Sequence, residues 1–158
     1  MATLMTILLL FLLGGIVGLR SLTPPALICW AAHFGWLHLA GTRLAFMNHP
    51  AALIVFTLLA VVELVADKLP KTPARTAPAG LITRIVLGGF CGAVLATSAG
   101  GSLLLAVLIG VIGALAGTFA GYSVRHALVQ RAHLPDFRVA LVEDVVAITG
   151  GLLILSHI

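Results

Sequence analysis

Charge is scarce in this chain of 158 residues, where Asp, Glu, Lys and Arg together make up 9% and five acids face nine bases. That scarcity excludes a nucleic-acid surface, because the Arg and Lys residues stand at the ends of apolar segments and form no contiguous patch. Cysteine is scarce too. Cys29 and Cys91 both lie in apolar stretches, which excludes the disulfide framework of a small secreted domain. The N-terminal MATLMTILLLFLLGGIVGLR lacks a basic leading region and a convincing small-x-small cleavage site, so it reads as a retained first span and not a cleaved signal. No Ser-His-Asp arrangement or His-Glu-x-x-His run is visible, and Ser21 and Ser123 stand beside arginines without an evident base. No enzymatic activity and no cofactor is expected.

Hydrophobicity is what the chain has in abundance, at 61% of residues and a mean hydropathy of +1.19. Several apolar runs approach the roughly 20 residues that cross about 30 Å of hydrocarbon. The expected fold is a single all-α, polytopic membrane domain over 1–158, with spans near 4–19, 50–66, 81–97, 102–122 and 139–155. Pro24-Pro25 reads as a helix-breaking pair after the first span, and Asn48 with Pro50 as the N-cap and first turn of the second. The stretch 26–41 is too short for a full crossing, reaching only about 24 Å as a helix. It is expected to be re-entrant or interfacial, a level that suits Trp30 and Trp36.

The basic loops at 67–80, with Lys68, Lys71 and Arg75, and at 126–138, with Arg131 and Arg138, are two spans apart and so share a side. The positive-inside rule makes that side cytoplasmic, and five spans then put the N-terminus inside and the C-terminus outside. Two echoes run through the chain. AVVELVA at 60–66 resembles ALVEDVV at 140–146, and the Gly14/Gly18 stretch ending in Arg20 parallels Gly117/Gly121 ending in Arg125. These admit an inverted repeat, 4–69 against 102–156 with the 81–97 span between, as in many secondary transporters.

Carboxylates inside apolar helices are costly and are usually kept for a purpose. Glu63 and Asp67, four residues apart, share one face of the second span, Glu143 and Asp144 adjoin in the last, and Glu63 and Glu143 are each expected within about one helical turn of mid-membrane, slightly toward the cytoplasmic side. Together they form the expected substrate-binding site or proton or ion relay. The competing structural reading ties them to Arg84, Arg125 or Lys68 in fixed ion pairs. Adjacent residues diverge by about 100° on a helix. Glu143, matched by Glu63, is therefore the expected central acid, with Asp144 turned to an Arg on another span or subunit. Arg20, Arg84 and Arg125 are the candidate anion or headgroup contacts, with Arg20 and Arg125 expected at opposite mouths. Gly14, Gly18, Gly88, Gly92, Gly113, Gly117 and Gly121 recur at four-residue spacing and read as helix-packing positions, within the protomer or across a homodimer. Cys29 and His33 are weak metal candidates, without a second closely spaced ligand pair.

Gly18-Leu19-Arg20-Ser21, the run from Glu63 through Asp67-Lys68-Leu69-Pro70, the Gly117/Gly121/Arg125 stretch and Glu143-Asp144 together resemble a family of small bacterial integral membrane proteins catalogued as a domain of unknown function. The resemblance covers nearly the whole chain and implies a multi-span helical fold in the bacterial inner membrane, but carries no substrate or catalytic residue. The leading expectation is a small helical transporter or channel for an ion or small polar solute, acting as a homodimer in the lipid bilayer. Its alternatives are translocation of a phosphate-bearing lipid and a non-transporting scaffold or assembly factor.

Overall fold

The structure, a computed structural model, describes residues 2–69 and 75–158, with side chains from Leu4 onward. Pro70 and Lys71 of the expected linker lie outside the described residues. Six α-helices follow one another: α1 (Ala2–Leu19), α2 (Thr23–His33), α3 (Pro50–Ala66), α4 (Pro78–Ala99), α5 (Leu103–His126) and α6 (Asp136–Leu155). A 3₁₀ turn at Ala45–Asn48 precedes α3, a π turn at Ala127–Arg131 extends α5, and no strand occurs among the described residues. The fold is all-α, as expected.

The ends of these helices follow local chemistry. Pro24 and Pro25 do not break a helix but open one, in the first turn of α2, where a missing N–H costs nothing. The cap of α3 is His49 and not Asn48, its Nδ1 accepting the Ala51 N–H at 3.1 Å. At the end of α4, Gly100 takes a left-handed φ of +71°, and the Gly101 N–H returns to the Ala96 carbonyl at 2.9 Å.

Helices α1, α4 and α5 form the central layer, joined by glycine. A Cβ at Gly14 would overlap the Gly110 carbonyl, one at Gly18 the Ala114 carbonyl, and one at Gly117 the Gly15 carbonyl, so α1 and α5 run parallel with backbones touching. On the other flank of α5, Gly88 meets Gly110 and Ala114 while Gly92 meets Ala106, so α4 runs antiparallel to it. Missing side chains permit this approach, and carbonyl–backbone contacts take the place of side-chain packing. The glycine faces are thus spent inside one chain, and a homodimer would need another surface.

The expected re-entrant segment is a broken traverse of the bundle. Ser21 and Leu22, at the start of α2, bond Glu63 near the end of α3. At the other end of the bundle the His38 N–H bonds Ser98 Oγ, in the last turn of α4, at 2.9 Å. Half of the path is helix and the rest irregular chain, anchored by buried Leu37, Leu39 and Met47. Irregular backbone at such depth is tolerable when protein surrounds it.

That traverse changes the topology. α1, α3 and α5 all end where α2, α4 and α6 begin, so the start of α1 lies at the opposite end of the bundle from residues 67–69, 75–77 and 126–138. The expected shared side for the start of α1 and these loops is corrected. The inverted repeat also fails as a pair of echoes: α1 and α5 are parallel, whereas α3 and α6 bring their Glu residues together from opposite directions. Neither an inverted nor a parallel repeat satisfies both.

By length and composition two helices can cross a membrane, α4 and the continuous α5–π segment Leu103–Arg131, while α1 and α3 are shorter apolar helices. α3 lies at the periphery against α2 and the 3₁₀ turn. It buries Ala60 and exposes Ile54, Val55, Leu58, Val61, Val62 and Val65.

Candidate functional site

All five acidic side chains of the chain converge at the end of the bundle where α1, α3 and α5 finish. Arg20, just past α1, is 1% exposed and joins three of them. Its Nε donates to Asp144 Oδ1 at 2.7 Å and its Nη1 to Asp67 Oδ2 at 2.6 Å. Its Nη2 donates to the Ala140 carbonyl at 3.3 Å and lies 3.6 Å from Glu143 Oε2. Arg125, in the last turn of α5, grips Asp136 with two nitrogens at 2.9 and 2.8 Å, and its Nη1 reaches Asp67 at 2.6 Å and Glu143 at 3.3 Å. Arg75, just before α4, donates to Glu143 at 2.9 Å, and Lys68 pairs with Asp144.

Four cations, Arg20, Lys68, Arg75 and Arg125, thereby meet four acids, Asp67, Asp136, Glu143 and Asp144. The network is electrically balanced, the condition for burying charge at tolerable cost. Burial by itself would raise the Asp67 carboxyl, but Arg20 and Arg125 overcome that and hold it below the usual carboxylate range. Asp136 is likewise lowered, chiefly by its bond to Arg125.

Glu63 does something different. Its Oε1 accepts from the Ser21 N–H at 2.7 Å and the Ser21 hydroxyl at 2.5 Å, and its Oε2 from the Leu22 N–H at 2.8 Å. An acid from α3 therefore satisfies donors at the entry to α2, where the helix dipole favours negative charge. Arg84 is equally unlike the sequence expectation. It has no carboxylate within ion-pair distance among the described residues. Its Nε donates to the Gly18 carbonyl at 3.1 Å, in the last turn of α1, and its Nη1 to the Gly80 carbonyl at 3.0 Å. A cation at a helix C-terminus is favourable for the same dipole reason.

Two expectations are corrected by this geometry, and a third is met. Arg20 and Arg125 do not stand at opposite mouths but share Asp67, because the traverse by α2 brings their helix ends together. Glu143 and Asp144 do reach one site despite their angular separation, because the Arg20 fork is wide enough to lie between them. Asp144 meets an Arg of another helix as expected, Arg20 at the end of α1. Of the fixed partners considered, Lys68 and Arg125 hold acids and Arg84 does not; Arg20 and Arg75 supply the rest. Asp136 and Arg75 were missed as members. The available signal was scarcity itself, since in a chain with five acids each one needs an accounted partner.

Cys29 and His33 do not converge. Cys29 is fully buried with its Sγ 4.0 Å from Met47 Sδ, whereas His33 is exposed among Trp30 and Phe34.

Two cavities adjoin the cluster. One of about 250 Å³ is lined by Ser21, Glu63, Asp67, Arg75 and Arg84. The other, about 740 Å³, is an apolar groove between α1, α5 and α6 that touches Glu143. Residues 7–157 match the family described as Domain of unknown function (DUF4126). No curated protein and no solved structure matches the chain.

Proposed function

The chain belongs to this family of unknown function over residues 7–157, and from that premise we propose a small helical membrane transporter or channel for an ion or small polar solute, with the charge cluster as its closed gate. The membrane setting is supported by the apolar outer face of α3, which a soluble protein would bury, and by the lengths of α4 and α5. In this reading α1, α3, α4, α5 and α6 cross a bacterial inner membrane, and α2 with its irregular return makes a sixth, broken crossing. Seven described cations stand at the cluster end and Arg43 belongs to the 34–49 return, so the positive-inside rule assigns the cluster to the cytoplasmic face. Both termini then face outward.

One observation carries the gate. Arg20 just past α1, Asp67 and Lys68 just past α3, Arg75 before α4, Arg125 of α5 and the acids of α6 form a balanced ion-pair network that ties the end of α3, which has little apolar packing of its own, to a central layer joined backbone to backbone. Buried ion pairs are a poor source of stability compared with apolar packing, and a switch or registry role is their best-attested use. Protonation of Asp67, or a cation competing for it, would loosen the end of α3 from that layer without disturbing the glycine seams. The completeness of the pairing favours the scaffold reading instead, in which the network never opens.

Spin labels at Val65→Cys on α3 and Phe119→Cys on α5 separate the two. Both positions are exposed and both native cysteines are buried. With Asp67→Asn and Glu143→Gln added, the gate gives a second, longer distance population, alongside altered proton or monovalent-cation flux in liposomes. One unchanged distance in every variant and at every pH would sink the gate and leave the scaffold.

A further inference from the structure

The groove between α1, α5 and α6 has a volume of about 740 Å³, a size typical of sites that enclose small organic ligands. Its walls are aliphatic, and its floor is the glycine seam, where Gly15 and Gly117 touch. Along α6 the lining runs from Arg138 to Val146, about 12 Å of helix. Charge enters only at the cluster end, through Arg138 and Glu143.

The electrostatics of that end are one-sided. Glu143 is already held by Arg75 and Arg125. Arg138, and Arg131 on the segment that closes the groove, are exposed and have no carboxylate within ion-pair distance among the described residues. Behind the wall, Arg75 Nη1 is buried without a hydrogen-bond acceptor and lies where a Cβ on Gly121, a lining residue, would come within 2.7 Å of it. The groove therefore joins a long apolar slot to a cationic end with a spare donor nearby.

We infer that this groove holds one acyl chain of an anionic phospholipid, with the lipid phosphate at Arg138. The inference rests on the membrane setting proposed above and not on the gate. A phosphate oxygen pairs with guanidinium in the bidentate geometry that Arg favours, and Arg138 sits at the cytoplasmic headgroup level that the positive-inside assignment gives this end. The arginines proposed from sequence for a headgroup, Arg20, Arg84 and Arg125, are engaged by acids or carbonyls. Arg138 takes their place.

Native mass spectrometry of the detergent-purified protein, titrated with phosphatidylglycerol and with phosphatidylcholine of the same chains, tests the site. One phosphatidylglycerol is expected to bind in preference to phosphatidylcholine. Arg138→Gln should weaken it roughly fivefold, the effect of about one basic residue at an anionic surface. Val142→Trp, which fills the slot from a position 63% exposed, should displace both lipids. Arg43→Gln, at the other end of the bundle, should leave binding unchanged. Equal binding of the two lipids, equal effects of Arg138→Gln and Arg43→Gln, full competition by inorganic phosphate, or a dimer that Val142→Trp dissociates would each overturn the lipid as occupant. Recovery of the protein from cells without detergent would instead overturn the membrane setting itself.

Discussion

Arg20 is the side chain on which the cluster turns, because all three of its guanidinium nitrogens are engaged and none reaches water. Arg20→Met keeps the length but strands Asp67 and Asp144 with fewer cations. Removing one partner of a buried pair costs about 3–5 kcal/mol. Thermal unfolding in detergent, read from Trp30 and Trp36, should show that loss. Pairing Arg20→Met with Asp144→Leu should recover part of it, since contacting residues are non-additive. A double variant as unstable as the sum of the singles would mean that the two side chains act independently. At this scale the sequence singled out four of the five acids that gather at one end, Glu63, Asp67, Glu143 and Asp144, but not the partner each one takes. Periodicity located Glu63 on a face with Asp67, but that its carboxylate would close the amides of Ser21 and Leu22 depends on how α2 re-enters the bundle, which no local pattern encodes.

Among the helices, the glycines divide by what a methyl group would strike. At Gly117 the obstacle is the Gly15 backbone, which cannot give, whereas at Gly121 it is the tips of Leu19 and Arg75, which can. At Gly101 the nearest atom is 4.0 Å away. Gly117→Ala should therefore prevent α1 from seating on α5 and abolish recovery of folded protein. Gly121→Ala should lower the melting temperature moderately, and Gly101→Ala should be near neutral. Size-exclusion profiles and melting curves of the three rank the effects, and a well-folded Gly117→Ala would contradict the close parallel seam. Helix extents were readable because apolar run length and proline placement set them, as with α3 at Pro50–Ala66. The helix α2 was not, because Pro24-Pro25 permits both an ending and a beginning, and the groups that favour a beginning, the Glu63 carboxylate at its entry and the core around its buried face, come from other helices.

The whole molecule is ordered by one asymmetry: charge at one end, apolar packing through the rest. Read as a line of text, the chain hides this, because Arg20, Asp67, Arg125 and Asp144 are separated by up to 124 positions. Only the alternation of six segments brings them to one end, and that alternation hinges on whether the 26–41 stretch turns back or goes through. A traverse puts Arg43 and the C-terminal His157 on the side opposite Arg131. All three are exposed, while Cys29 and Cys91 are buried and should not react. In intact cells, a membrane-impermeant maleimide should label Arg43→Cys and His157→Cys, and should label Arg131→Cys only after permeabilisation. The reverse pattern would keep the fold and invert its orientation, overriding the charge bias. Labelling of Arg43→Cys and Arg131→Cys from the same side would remove the traverse, and with it the shared end on which the cluster depends.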